Sequence, residues 1–293
     1  MNSLFQNQLK MMPEGPAAEF WNDRRMPYVE TRRACQSRVC YKAHSHPTFS
    51  IGAVDSGQSV FSSFFAQPRR IEAGALVVIP AHVEHACNPL PNGEWSYQMM
   101  HFDASWIAQL FSELSGDLSA FQSEFVPCIA PQVIQNIDLY HSFSALNRVL
   151  FDPEIPIGLK EQAVVEVLTE IFLPEFEFKL LKKSAYFNQH IARLGRCLND
   201  SARLWSLQDL SQEFGISRYA IIRLCKNNFG LTPHAYQINQ KVNQARQMLK
   251  HGVSVLQAAH DLGFADQSHF HHVFKMHAGI SPKQYQQQCF LRG

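Results

Sequence analysis

The sequence has no CxxC pair, no long apolar run and little acid in its last third, and each shortage removes a class of protein. Seven cysteines (Cys35, Cys40, Cys87, Cys128, Cys197, Cys225 and Cys289) form an odd, scattered set. That pattern speaks against a disulfide framework and a structural zinc site, and predicts free thiols. No stretch approaches the roughly eighteen consecutive apolar residues of a membrane span, and the opening MNSLFQNQLK has no basic segment leading into an apolar one. A cytoplasmic protein without a membrane partner is expected.

Charged residues make up 17% of the 293 residues and hydrophobic ones 46%, enough apolar material for two ordinary cores. The net charge of +1 conceals two opposite halves. Residues 1–182 carry 13 Lys/Arg and 20 Asp/Glu, a net of −7, whereas residues 183–293 carry 13 and 5, a net of +8, together with 8 of the 14 histidines. A basic final third of this kind is the footprint of a polyanion-binding surface.

That third contains one unit twice. Gly215 stands 48 residues before Gly263, and Gly230, Pro233 and Tyr236 stand 49 before Gly279, Pro282 and Tyr285, so one inserted residue near Asp266 reconciles the two copies. Each copy starts at a serine, Ser206 or Ser254, followed by a short apolar helix face: Leu207, Leu210 and Phe214, or Val255, Ala258, Ala259 and Leu262. Gly215 or Gly263 then suits the left-handed position just past a helix end. A second helix follows, capped by Ser217 or Asp266, with Ile221, Leu224 and Cys225 or Phe270, Val273 and Phe274 on its inner face. Two helices joined by a Gly-bearing turn make a helix-turn-helix.

The outward positions of the second helices carry the chemistry of base and phosphate contact. They are Ser217, Arg218, Tyr219, Ile222, Arg223 and Lys226 in the first copy, and Gln267, Ser268, His271, His272 and Lys275 in the second. Arg pairs with guanine and Gln with adenine in a bidentate way. His269, His271 and His272 are spaced so that only His269 and His272 share a helix face, which disfavours a metal tract. Between the copies, PHAYQINQKVNQARQMLKHG predicts a long helix ending at Gly252, rigid enough to set the two units about 34 Å apart, one turn of DNA.

From near Phe187 to Gln287 the sequence resembles the AraC/XylS family of transcription regulators, on the Gly-Phe of the second copy, FHHVFK, GISPKQY and KVNQARQML. Lys241 and Gln286 stand where the family usually has Arg, substitutions expected to weaken phosphate contacts slightly. The resemblance implies double-stranded promoter DNA, RNA polymerase and a small-molecule effector as partners, a homodimer, and activation more often than repression.

The first half reads as a small all-β unit, with the runs FSIGAVDSG, SVFSSFF, GALVVIP and WSYQMMHFD separated by turn signals. His44 and His46 before Gly57, and Gly74, Pro80 and His85, resemble in spacing the two cupin motifs, whose enzymes hold a metal with three His and a Glu. Here the Glu position falls on Ser50. A pocket for an effector is therefore preferred over a metal site, with His44, His46, Ser50, His85 and Tyr97 as its residues. Phe49, Phe61 and Phe65 fit either pocket or core.

Helical patterns follow in DASWIAQLFSEL, PQVIQNIDLYHSFSALNRVLF and PIGLKEQAVVEVLTEIFL, the last with an apolar stripe of Leu159, Val164, Val165, Leu168 and Ile171 that suits a dimer contact. The expected architecture is α+β: a cupin-like β-barrel with trailing helices over residues 1–173, a linker over 174–186, and an all-α tandem helix-turn-helix domain over 187–290. The expected function is a ligand-controlled DNA-binding regulator, with no catalytic residues, metal or cofactor. A metal-dependent cupin enzyme with a DNA-binding tail and an effector-independent DNA binder stay open beside it.

Overall fold

A computed structural model describes residues 17–64, 66–115, 125–176, 178–182, 189–200 and 203–290; Phe65 and the expected boundary at residue 187 lie outside these. The first half holds strands β1 (Ala17–Asn22), β2 (Val29–Ser37), β3 (Thr48–Ser63), β4 (Ala66–Glu72), β5 (Ala75–Ile79), β6 (His85–Pro89) and β7 (Trp95–Asp103), then helix α1 (Ala104–Ser115), strands β8 (Phe125–Ile129) and β9 (Gln132–Gln135), and helices α2 (Ile137–Phe151) and α3 (Ile157–Glu166). The order β1-β2-β7-β3-β5-β9 is antiparallel throughout, with β4 and β6 also pairing β3.

The runs FSIGAVDSG and SVFSSFF, expected as separate strands, form the single strand β3. Gly57 does not end it. At φ +75 it follows the register slip against β7, which falls between Val54 and Ser56, and it packs so closely on Glu94 that a Cβ would clash with that carbonyl oxygen. The slip lets β3 serve two halves of the sheet, pairing β5 and β7 first and β4 and β6 afterwards.

Side chains alternate between two cores. From β5, Leu76 and Val78 join Phe49, Ile51, Met100 and Phe102 under α2 and α3, with Phe143, Leu150, Val164, Leu168 and Phe172. Its Ala75, Val77 and Ile79 face Val54, Phe61, Ile71, Trp95, Tyr97 and Met99 on the other side. Phe49 and Phe61 are therefore core residues. Both faces of β5 are buried, which is why it reads as an unbroken apolar run.

Two helical expectations are corrected. The helix expected from Pro131 starts only at Ile137: Asn136 accepts hydrogen bonds from the Asp138 and Leu139 amides as N-cap, and the preceding residues pair with β5 as β9. Past α3 the chain continues as a wider π-helical turn, Val167–Phe172, which rotates the buried stripe. Leu159, five residues and therefore about 140° round α3 from Val164, is exposed, while Val164, Leu168 and Phe172 are buried. Residues 178–182, expected within the linker, form β10 (Phe178–Lys182), antiparallel to β8.

The second half holds α4 (Gln189–Asn199), α5 (Leu207–Phe214), α6 (Arg218–Phe229), α7 (Pro233–Lys250), α8 (Val255–Asp261), α9 (Gln267–Ala278) and α10 (Pro282–Phe290). The repeat is visible in the caps. The side chains of Ser206, Ser217, Ser254 and Asp266 accept the amides of Asp209, Ala220, Gln257 and His269, and Gly215 and Gly263 both take φ +64. Each copy has its own core, Leu210, Phe214, Ile221 and Cys225 in the first and Ala258, Ala259, Phe270 and Phe274 in the second, with α7 between them.

Candidate functional site

His44 and His46 precede β3, and His85 opens β6. Reciprocal backbone hydrogen bonds of 3.0 and 2.9 Å join His44 to His85. Along β7 the period of two puts His101 on the face of Trp95, Tyr97 and Met99, adding a fourth imidazole. Ring centroids lie 4.6 Å apart for His44–His85, 4.8 Å for His46–His85 and 5.0 Å for His46–His101.

The ring protons follow from the partners. Nδ1 of His44, His46 and His85 lies 2.7, 2.9 and 2.9 Å from the carbonyl oxygens of Lys42, Thr48 and Val83. A carbonyl only accepts, so Nδ1 donates in each neutral ring and Nε2 presents a lone pair. The Nε2 of His46 is buried without a partner among the described residues. Ser50, fully buried, has its hydroxyl 2.7 Å from Nδ1 of His101, so it positions a ring where the cupin resemblance would place a carboxylate ligand. Burial, then the neighbouring imidazoles, holds His44 and His46 well below the ordinary imidazole value. Burial also lowers His85 to about 4, and burial with Arg32 and Arg246 lowers His101 well below the ordinary value. Among the described residues no group of three or more His, Cys, Asp or Glu side chains is arranged to hold a metal ion.

The imidazoles line two adjoining cavities of about 50 and 60 Å³ that share Arg32, His46, His101 and Arg246. Arg32 projects from β2, its guanidinium 5.3 Å from the Tyr97 ring and 5.5 Å from the Tyr41 ring, whose hydroxyls are 2.7 Å apart. Arg246 comes from α7. The cavity thus lies between the β-domain and the helical domain rather than inside the sheet alone.

A polar seam surrounds it. Asn239 of α7, 1% exposed, accepts from the Ser45 amide at 3.2 Å and donates to the Ser45 carbonyl and hydroxyl at 2.9 and 3.0 Å. Asn243 donates to the same carbonyl at 3.0 Å, and Lys250 pairs with Glu30. Arg32 donates to the Ala278 carbonyl at 3.1 Å and Arg246 to that of His277 at 3.2 Å, both at the C-terminal end of α9, where cations are favoured. The sequence reading missed Arg32, Tyr41, His101 and Arg246. Alternation in WSYQMMHFD carries a signal for His101; nothing local marks Arg246 as a neighbour of Arg32 and His46, which lie 214 and 200 residues before it.

On the opposite side, Arg218, Tyr219, Arg223 and Lys226 of α6 and Gln267, Ser268, His271, His272 and Lys275 of α9 are exposed, Tyr219 by 69%. Ile222 is half-buried, and Ser217 is exposed while capping α6. Lys241, expected at a phosphate contact, is buried with its ammonium 5.6 Å from the Phe264 ring. Gln286 likewise turns inward, donating to the Val253 carbonyl at 2.6 Å.

A polar cavity closed by the helix that joins two repeated helix-turn-helix units defines a ligand-sensing, DNA-binding regulator. The profile of the AraC-like ligand binding domain matches residues 26–176, and that of a helix-turn-helix domain matches residues 210–288. The chain belongs to the AraC family of DNA-binding transcription regulators. It is 26% identical over 227 residues to the HTH-type transcriptional regulator YbfI of Bacillus subtilis, covering 77% of this chain and 80% of that one. It is 22% identical over 263 residues to the HTH-type transcriptional activator RhaS of Salmonella schwarzengrund, covering 85% and 89%. Its fold is like that of ToxT from Vibrio cholerae, with a TM-score of 0.56 at 14% identity over 94% of this chain and 99% of that one.

Proposed function

We propose that the chain is a sequence-specific transcription activator switched by a small-molecule effector bound in the cavity between its two domains. The observation that carries this reading is Arg246, which sits in the wall of the cavity and on the helix that holds both helix-turn-helix units. A ligand there touches both domains at once and acts by its differential affinity for their arrangements. His44, His46, His85 and Tyr97 form its walls, with Ser50 behind His101. The activator sense follows the name of RhaS, and ToxT has been solved with an unsaturated fatty acid bound.

The exposed side chains of α6 and α9, with Ser217 and Ile222 at the edge of the first, meet bases and phosphates of double-stranded DNA. The protein acts in the cytoplasm as a homodimer and contacts RNA polymerase, without enzymatic activity. No helix of the described residues is long and apolar enough to cross a membrane. The exposed Ile137 and Leu159 on α2 and α3 favour dimer contact through these helices.

The test is a mobility shift of the full chain on the promoter region of its own gene at fixed salt, with and without a metabolite panel. Specific binding altered by one compound supports the reading. Specific binding indifferent to all of them leaves a regulator whose cavity senses nothing in the panel, and absence of specific binding removes the reading altogether.

A further inference from the structure

The cavity walls have a chemical polarity that the effector reading does not itself require. Two guanidiniums face it, and the acidic group beside them, Glu30, is paired with Lys250. Among the described residues Arg32 Nε is buried without a partner, although its Nη1 is used by the Ala278 carbonyl. Two guanidiniums brought together out of water, Arg32 with a spare donor and Arg246 already donating to Asn243 and His277, favour an anion between them, and a planar carboxylate matches the guanidinium fork. The imidazoles ask for the opposite. With Nδ1 committed to carbonyls, the Nε2 atoms of His44, His46 and His85 only accept, so they match ligand hydroxyls and repel a carboxylate. Cavities of about 50 and 60 Å³ admit a compact polar molecule, since a single water needs only roughly 10–15 Å³ in such a measure.

Resting on the effector reading above, we propose that this site binds a small hydroxycarboxylate, its carboxylate between Arg32 of β2 and Arg246 of α7 and its hydroxyls donating to imidazole Nε2 atoms. The ligand then cross-links the β-domain to the helix that carries both DNA-reading units. A plain fatty or alkyl acid satisfies only the arginine end of the cavity. A neutral polyol satisfies only the imidazole end.

The test is calorimetric titration of the full-length protein with lactate and gluconate, with propionate and hexanoate as acids lacking hydroxyls, and with glycerol and glucose as uncharged polyols. Trp95, stacked on Tyr97 at 4.3 Å, gives a fluorescence signal at the cavity wall. At least one hydroxy acid should bind at least about tenfold more tightly than its unhydroxylated and uncharged counterparts, with R246Q losing about tenfold and R246K less. Circular dichroism and melting of each variant separate lost binding from lost folding, and titration of the wild-type chain stands without any variant. Equal binding of propionate, preference for glucose, or no binding of either hydroxy acid overturns the proposal. So does saturable binding of Zn²⁺ alone that is lost in H44A, which would make the imidazoles a metal site. Mobility shifts with the same compounds keep the two readings apart: a neutral compound that alters DNA affinity refutes the hydroxycarboxylate and leaves effector control standing.

Discussion

His85 is one of four buried imidazoles whose environment solution work can read. Burial holds its pKa down to about 4; burial with neighbouring imidazoles lowers His44 and His46, and burial with Arg32 and Arg246 lowers His101. Between about pH 6.5, where an unfolded histidine titrates, and pH 4 the unfolded chain binds protons that the folded one refuses. Stability is therefore complete at neutral pH and drains away as pH falls through that window, by about 3 kcal/mol at pH 4 for His85 alone. Thermal midpoints from pH 7 to 4 check this, and H85Q should flatten part of the slope; an unchanged profile would mean the rings are protonated when folded. The glycines offer a second contrast. G215A places a side chain at φ +64 with nothing within 4 Å, and should cost about 1 kcal/mol. G279A, at φ +80, puts its Cβ 2.4 Å from the Tyr41 hydroxyl oxygen, and should melt distinctly lower than G215A. At this scale His44, His46 and His85 were legible because a two-residue and a five-residue spacing recur in known motifs. Arg32 and Arg246 were not, because a cation looks alike in sequence whether it faces solvent or a partner across a seam.

Elements were legible where their limits are local. Ser206, Ser217, Ser254 and Asp266 cap where the repeat puts them, since a cap is decided within three residues. D266A should cost about 1 kcal/mol and fray the start of α9, lowering the melting midpoint and weakening DNA binding together. If DNA affinity stayed at the wild-type level despite the lost stability, the N-terminal turn of α9 would not be a reading surface. Elements were misread where distant pairing decides. The Gln132–Gln135 stretch has apolar spacing that suits a helix, yet its partner β5 draws it into the sheet. Gly57 reads as a turn but lies inside β3, just past a register slip and against the Glu94 carbonyl of the segment that leads into β7. Leu159 points outward because five residues of α-helix set it about 140° round α3 from the buried Val164, too far apart to share one stripe.

At the scale of the molecule, the β-domain touches the two helix-turn-helix copies at equivalent places. Gly230 ends α6 against Glu84 and Phe64, and Gly279 ends α9 against Tyr41; a Cβ on Gly230 would lie 2.7 Å from that of Glu84. These are the positions that the repeat aligned at a spacing of 49 residues. One rigid surface therefore holds both reading helices by matching corners, with α7 and the cavity between them. N239A tests whether this seam transmits the effector signal. It removes the buried amide that satisfies the Ser45 amide, carbonyl and hydroxyl, a loss of roughly 1–3 kcal/mol, while leaving every exposed residue of α6 and α9 in place. A looser seam frees the spacing of the two units, so small-angle scattering should report a larger particle and operator affinity should become insensitive to effector. An N239A protein that keeps both its compactness and its effector response would show that the signal does not pass through the Asn239 seam.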